Sequence, residues 1–272
     1  MGSAVRRLAP CLAGSLLVVG ALATSPPHAA AQATSSSADA QPSDIRAERP
    51  GNPGFLLGSP RGFVGMRGNW MFASAGSDLF DFVTKQLTLD RGDFDTRAVS
   101  PELGFALGQR LDLVFAFDYN NANRPSEYRD YVDNKLQPIL QTTALRTTSL
   151  TASVRYAVLP KGRRVSRYSW IPSTVTPYVG AGGGAMNYEF KQSGDFVDFV
   201  DLSVFTSVFR SHGWAPTAHA FGGVDVHVFR RLYVSGEGRY VWSSAKLSRD
   251  FVDFDPIDLS GFRLSAGAHL VF

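Results

Sequence analysis

From Gly62 onward, apolar residues recur at every second position over unusually long segments. In "RLDLVFAFDY", Leu111, Leu113, Phe115 and Phe117 share one face, while Asp112, Val114, Ala116 and Asp118 share the other. Successive side chains of a strand point to opposite sides, so a period of two means a strand with one apolar and one mixed face. The last segment, "GFRLSAGAHLVF", repeats this: Phe262, Leu264, Ala266, Ala268, Leu270 and Phe272 lie on one side, and Arg263, Ser265, Gly267 and His269 on the other. The pattern predicts eight strands, at 62–73, 97–108, 110–119, 146–158, 175–190, 215–229, 231–246 and 259–272. Soluble strands run about five or six residues, whereas a tilted strand crossing a bilayer needs about 9–11. Most of these segments meet the second requirement.

Lipid offers no hydrogen-bond partner, so an open sheet edge in a bilayer leaves backbone groups unsatisfied at several kcal/mol each. Closure into a barrel removes the edges, and eight is an even number, as single-chain bacterial barrels require. The links fit this. "GQR" at 108–110 and "FRR" at 229–231 are tight, whereas the links after the first, third, fifth and seventh strands are long. Short turns on one side and long loops on the other describe a transmembrane up-and-down barrel with both ends on the short-turn side. The basic link at 159–174, "LPKGRRVSRYSWIPST", is long for such a turn.

The segment before Gly62 does not alternate. Arg6 and Arg7, the apolar "LAPCLAGSLLVVGALA" and the small-residue "HAAAQA" make residues 1–31 a secretory signal peptide, cut between Ala31 and Gln32. Residues after the Arg pair fit a twin-arginine signal poorly, and Pro10 before Cys11 gives the wrong order for a lipoprotein. Cys11 is the one cysteine, so the mature chain relies on no disulfide although it leaves the cytoplasm. Losing Arg6 and Arg7 takes the 27 basic residues to 25, against 24 acidic ones. That near balance excludes an electrostatic nucleic-acid binder. Residues 32–59, rich in Ser, Ala, Pro and Asp, bury too little to fold and read as a flexible periplasmic tail, leaving 60–272 as the barrel.

These features together resemble the small eight-stranded outer-membrane barrels of Gram-negative bacteria, the OmpA/OmpX/OmpW-like group. The most specific match is terminal. Ser265-x-Gly267-x-x-Leu270-x-Phe272 is similar to the signal by which such barrels are recognised for assembly, and "TPYVGAGGGAMNY" at 176–188 looks like the group's glycine-rich fifth strand. The resemblance implies residence in outer-membrane lipid and the barrel assembly machinery as a partner.

The second face of each strand gives the lumen. It is expected to hold Arg67, Glu102, Asp112, Arg155, Asp225, Glu237, Arg239 and Arg263, with His219, His227 and His269 facing the same way. On the lipid side Arg or Lys costs about 2–4 kcal/mol at mid-membrane, whereas turned inward these charges can pair. An eight-stranded interior is just wide enough to be filled by side chains, so a closed plug is expected. In the fifth strand, Gly180, Gly182 and Gly184 are assigned to the outward face and Gly183 to the inward one. Trp70, Tyr178, Tyr188, Tyr240 and Trp242 are placed outward as interfacial aromatics. Nothing predicts an enzyme: the three His lie in the lumen, and their spacing forms no triad with a nucleophile and an orienting group. "GAGGG" is no nucleotide loop, because no helix follows it. No cofactor and no metal are expected.

One acidic–aromatic phrase occurs four times: "DLFDFV" at 78–83, "RDYVDN" at 129–134, "GDFVDF" at 194–199 and "RDFVDF" at 249–254. Every predicted outer loop holds one copy. Ser77, Ser126, Ser193 and Ser248 precede the copies, and a Ser before an acidic first turn is a helix N-cap signal. Short helices are thus expected in "SDLFDFVTKQL" and "SEYRDYVDNKL". Phe80, Phe82, Tyr131, Phe196, Phe199, Phe251 and Phe254 are expected to gather over the mouth, with the Asp residues facing water or a cation. Asp90, Asp93 and Asp95, or Asp253, Asp255 and Asp258, cluster without the ordered spacing of an EF-hand loop. The functional reading is an outer-membrane barrel with a structural or surface-recognition role and an unknown extracellular ligand. The rivals are a narrow channel for small or hydrophobic solutes and a soluble lipocalin-like barrel, whose apolar face would point inward. If the terminal signal is read as expected, deleting Phe272 lowers the fraction of folded, heat-modifiable barrel in membrane fractions compared with the intact chain.

Overall fold

A computed structural model of the chain describes residues 56–166 and 169–272. The expected signal peptide, and the tail as far as residue 55, lie outside the described residues. Eight long strands are β1 (Gly62–Ala73), β2 (Thr96–Ala106), β3 (Leu111–Val132), β4 (Pro138–Ala157), β5 (Val175–Val197), β6 (Val204–Phe229), β7 (Leu232–Ala245) and β8 (Gly261–Val271). Each pairs antiparallel with its sequence neighbours, and β8 pairs with β1 to close the ring. The closing register runs from Gly261 opposite Ala73 to Val271 opposite Phe63. The seam continues past the strands, since Phe272 N–H donates to the Gly62 carbonyl at 2.9 Å and Arg61 N–H donates to the Phe272 carbonyl at 2.6 Å. This is an all-β transmembrane barrel closed into a ring.

Its exterior is apolar. Leu111, Phe115, Phe117, Leu150, Phe262, Leu264 and Leu270 stand exposed on the outside, while the charged side chains opposite them are buried. That is the reverse of a lipocalin-like barrel. Trp70, Tyr240 and Trp242 point outward as expected. Among the described residues no helix is long and apolar enough to cross a membrane.

Three features differ from the sequence reading. First, β3 to β6 run far past the predicted ends, so the second and third outer loops shrink to tips at 133–137 and 198–203. Apolar residues such as Ile139, Phe196 and Phe209 are interrupted there by polar ones on the same face, so an apolar template stops early. "SEYRDYVDNKL" is accordingly strand and turn, not helix, whereas "SDLFDFVTKQL" does contain a helix, α1 (Asp78–Gln86). Ser77 takes the N-cap position of α1 without a side-chain cap bond. Second, the long 159–174 link forms a small sheet. Gly162–Arg164 and Ser169–Pro172 pair, and Leu56–Leu57, the end of the expected tail, add a third strand against Ser169 and Trp170.

Third, the parity of β5 is inverted. Tyr178 and Tyr188 are buried inside, not at the lipid interface. Gly180, Gly182 and Gly184 share their inward face, and Gly183 points out. The reason is crowding. A Cβ on Gly180 would sit 2.3 Å from the Phe221 ring and 2.5 Å from the Val154 carbonyl oxygen, so Gly180 makes room for an inward aromatic of β6. On the opposite wall, a Cβ on Gly104 would meet the Phe63 ring.

Gly180→Ala is therefore expected to destabilise the barrel by about 1–3 kcal/mol, as overpacking does. Gly236→Ala, where nothing lies within 4 Å of the added Cβ, serves as the control and should stay within about 0.5 kcal/mol. Urea unfolding in detergent, followed by tryptophan fluorescence, measures both.

Candidate functional site: the charged lumen and the outer cap

Every charged residue assigned to the lumen is buried. Glu237, from β7, is the hub. Its Oε2 lies 2.5 Å from Arg67 Nη1, and its Oε1 lies 2.9 Å from Arg239 Nη2. Tyr178 donates its hydroxyl to Oε2 at 3.1 Å. Arg67 also reaches Glu102, at 2.6 Å. Nearer the short-turn end, Arg155 bridges Asp112 at 3.0 Å and Asp225 at 3.2 Å, and its guanidinium lies over the Phe63 and Tyr178 rings. Nearer the outer end, Arg263 meets Asp118 at 3.1 Å.

Two members of this network were missed. Asp118 lies on the same face as Asp112 in "LDLVFAFD", so the parity that found Asp112 also marks it. Asp118 accepts a short hydrogen bond from Ser100 and one from Ser149 at 3.3 Å. Lys161 comes from the 159–174 link and reaches Asp112 at 2.5 Å. No strand pattern could assign it, because it is not on a strand. Burial lowers its pKa, while Asp112 beside it acts in the opposite sense.

The three His are inside, as their parity requires. His219 Nε2 and Ser153 Oγ lie 2.8 Å apart, a pair the sequence spacing did not reveal. Among the described residues no carboxylate hydrogen-bonds His219, so the third, orienting member of a hydrolase triad is missing. Also among the described residues, no group of three or more His, Cys, Asp or Glu is placed to hold a metal ion.

At the outer end, the four copies of the phrase meet. Phe80, from α1, lies 6.2 Å from Phe190 of β5, which lies 5.3 Å from Phe251. Phe209 of β6 joins Phe251 at 6.3 Å to Phe196 at 4.6 Å. Phe254 contacts Phe251 at 6.2 Å and Phe82 at 5.6 Å. Tyr131 lies 5.8 Å from Phe199 and 6.1 Å from Tyr128, whose side chain belongs to the same core. Around them Leu79, Val83, Leu87, Ile139, Met186 and Tyr188 are fully buried. This apolar core caps the strands where they rise above the lipid-facing band. Phe190 and Phe209, which join the copies, carry no motif and were not predicted.

One Asp in each copy of the phrase accepts backbone N–H groups, while Asp130 and Asp253 stand exposed to water as expected, Asp81 pairs with Arg91 and Asp195 accepts from the Thr206 hydroxyl. Asp78 accepts from Asp255 at 3.0 Å, and Asp250 accepts from Arg210 at 2.9 Å. Asp133 accepts from Lys135 at 2.8 Å and Gln137 at 2.7 Å, and Asp198 accepts from Val200 at 2.8 Å. Four members of the expected acidic clusters are used likewise, whereas Asp253 and Asp255 are exposed. Asp90 and Asp93 form a reciprocal capping box, Asp95 accepts from Ala73 at 2.9 Å, and Asp258 accepts from Gly76 at 3.1 Å.

No protein-family model matches the sequence, and no curated protein matches it. Among solved structures the chain is similar to Neisserial surface protein A, with 18% identity, 78% of this chain and 97% of that chain covered, and a TM-score of 0.41. It is also similar to the outer membrane protein OprG from Pseudomonas aeruginosa, with 11% identity, 80% and 99% coverage and a TM-score of 0.46. A further similar structure is the N-terminal β-barrel domain of Pseudomonas aeruginosa OprF, with 15% identity, 79% and 99% coverage and a TM-score of 0.36.

Because Glu237 serves two arginines, Glu237→Gln leaves buried positive charge uncompensated. Breaking a buried pair from one side costs about 3–5 kcal/mol. The urea midpoint of the refolded barrel is expected to fall accordingly. Glu189→Gln, whose ion pair with Arg146 is half-exposed at 3.7 Å, should shift it by less than about 1 kcal/mol.

Proposed function

We propose that the protein is an integral outer-membrane barrel with a structural or surface-recognition role, and that its lumen does not conduct. The observation that carries this reading is the cap. Aromatic side chains from all four outer loops share one apolar core above a lumen of paired charges. A conducting path would have to cross both. The cap also holds the hairpin tips in fixed positions, and those tips present Leu136, Val200 and Leu202 to the exterior. Connections held on a rigid scaffold are where binding residues concentrate. Insertion is assigned to the barrel assembly machinery, which would read Ser265, Gly267, Leu270 and Phe272 on β8, the strand that closes the ring.

A second reading, transport of a small or hydrophobic solute, is favoured by one observation. Backbone pairing of β2 with β3 covers only Glu102 opposite Ala116 through Ala106 opposite Asp112. It stops at Pro101, which has no N–H to give. Above that point side chains take over, with Ser100 bonded to Asp118 and Thr96 to Asn120 at 3.4 Å. A side-chain seam opens more readily than a backbone ladder. Planar-bilayer recording of the refolded chain separates the two readings. The closed reading expects no steady single-channel steps, and regular steps would sink it in favour of transport.

A further inference from the structure

The outward face of β3 to β6 carries an unbalanced charge just beyond the lipid-facing band. The strand register fixes its place. Tyr119 and Trp214 stand in one row across these strands, with Thr148 and Asn187 between them. Trp214 is 70% exposed, and exposed aromatics at the border of an apolar band mark a membrane–water interface. The next outward row toward the short turns, with Phe117, Leu150 and Pro216, is apolar. The rows toward the outer end are polar. The first holds Arg146, Glu189 and His212, and the second holds Lys191 and Arg210.

Lys191 and Arg210 are directly opposite each other on β5 and β6, which sets their Cβ atoms about 4.5–5.5 Å apart. Like charges so placed are destabilising. The nearby carboxylates are engaged elsewhere. Glu189 pairs with Arg146 at 3.7 Å, Asp250 accepts the Arg210 backbone N–H at 2.9 Å, and Asp195 accepts from the Thr206 hydroxyl. Among the described residues, neither the Lys191 ammonium nor the Arg210 guanidinium has a hydrogen-bond or ion-pair partner. Their chain neighbours Phe190, Gln192 and Ser211 are buried, so the alternation of the strands holds both cations outside.

A repulsive pair at head-group level points to an anion supplied from outside the chain. The wall beneath it indicates which kind. Toward the short turns, the outward residues of the same two strands are small: Ala181, Gly183 and Ala185 on β5, and Pro216, Ala218 and Ala220 on β6. Leu150 of β4 and Trp242 of β7 stand exposed on either side. A shallow apolar trough thus leads up to the two cations. A soluble polyanion uses the cations alone, whereas a lipid uses both features.

We infer that Lys191 and Arg210 form a docking site for the phosphorylated head group of an outer-leaflet lipid, whose acyl chain lies along the trough of β5 and β6. A guanidinium matches a phosphate with two parallel N–H donors, and an ammonium meets it as a point charge. The inference rests on the outer-membrane placement of the barrel, and not on whether the lumen conducts or the hairpin tips bind a ligand.

The test is native mass spectrometry of the full chain, refolded in an uncharged detergent and titrated with four probes. Diphosphoryl lipid A carries both phosphate and acyl chains. Its dephosphorylated form keeps the chains, glucosamine phosphate keeps the phosphate, and dextran sulfate is a soluble polyanion. Diphosphoryl lipid A is expected to bind about tenfold or more tightly than each of the others. Lys191→Gln with Arg210→Gln should weaken that binding by about tenfold or more, since each cation near a charged lipid surface contributes a factor of about five. Lys85→Gln with Lys135→Gln makes the same change in net charge, on α1 and at a hairpin tip, and should leave binding within about twofold. The first double variant loses no partner, so it should keep the heat-modifiable folded form and a urea midpoint in lipid-free detergent at or above that of the unaltered chain. A lower midpoint would show that the cations already have a partner within the chain, and would overturn the inference. So would equal affinity for the phosphorylated and dephosphorylated lipids, or unchanged binding by the first double variant. Glucosamine phosphate or dextran sulfate bound as tightly as the lipid would overturn it in favour of a soluble anion. A chain with no heat-modifiable form sinks the barrel placement itself, whereas a folded barrel without the phosphate preference sinks this inference alone.

Discussion

The width of an eight-stranded ring constrains everything else in this molecule. Such a ring leaves room for side chains and little more, while lipid outside forbids charge on the other face. Each strand must therefore send its polar residues inward, and each inward residue must find a neighbour across a narrow space. Glu237 finds Arg67, Arg239 and Tyr178 at once. Where two large side chains would collide, one wall gives way to glycine, as Gly180 does for Phe221 and Gly104 for Phe63. Charge pairing and glycine placement are two answers to the same lack of space.

The two ends of the barrel relieve that constraint in different ways. Toward the outside, the strands continue beyond the lipid-facing band, so the interior need not stay polar to suit its surroundings. The inward face turns apolar at Met186, Tyr188 and Phe190, and the loops bring apolar groups to meet it. Toward the short-turn side the chain has only turns and one longer link. Its cover is the 159–174 link, which sets Lys161 against Asp112 just before its small sheet and leaves charged space beneath. The outer end is closed by burial, and the inner end by ion pairing.

Much of this was legible because one rule, alternation, governs most of the chain. The eight strands, the closure, the outward apolar face and the eight inward charges follow from parity. Errors arose where parity had a competitor. On β5 the aromatics Tyr178 and Tyr188 suggested an interface girdle, because aromatic residues near strand ends usually face lipid. Here they fill space that the glycines beside them leave open. The long outer ends of β3 to β6 were invisible because polar residues interrupt Ile139, Phe196 and Phe209 on the inward face there, and sustained hydrophobic contrast is the signal that alternation needs. Lys161 reaches the lumen from a link, and Phe190 and Phe209 join the cap from strands. Such long-range placements depend on the assembled ring, and a single strand's pattern does not contain them.

The repeated phrase shows how one short sequence can serve unlike local structures. Its first copy lies on α1, its second and third at the ends of β3 and β5, and its fourth in a 3-10 turn at Arg249–Phe251. Three copies supply one buried aromatic and one more exposed: Phe80 with Phe82, Phe196 with Phe199, and Phe251 with Phe254. Local conformation differs, so the phrase does not encode conformation. It encodes a demand common to every outer connection. A loop that leaves a sheet loses its ladder partners, and a short acidic side chain is well placed to accept the freed backbone N–H groups. A loop that covers a mouth must also be held down, and a large aromatic buries roughly 150–250 Å² at low entropic cost. Aspartate beside an aromatic meets both demands within two or three residues, whichever element carries it. Four connections facing the same problem can thus hold the same phrase without sharing a fold.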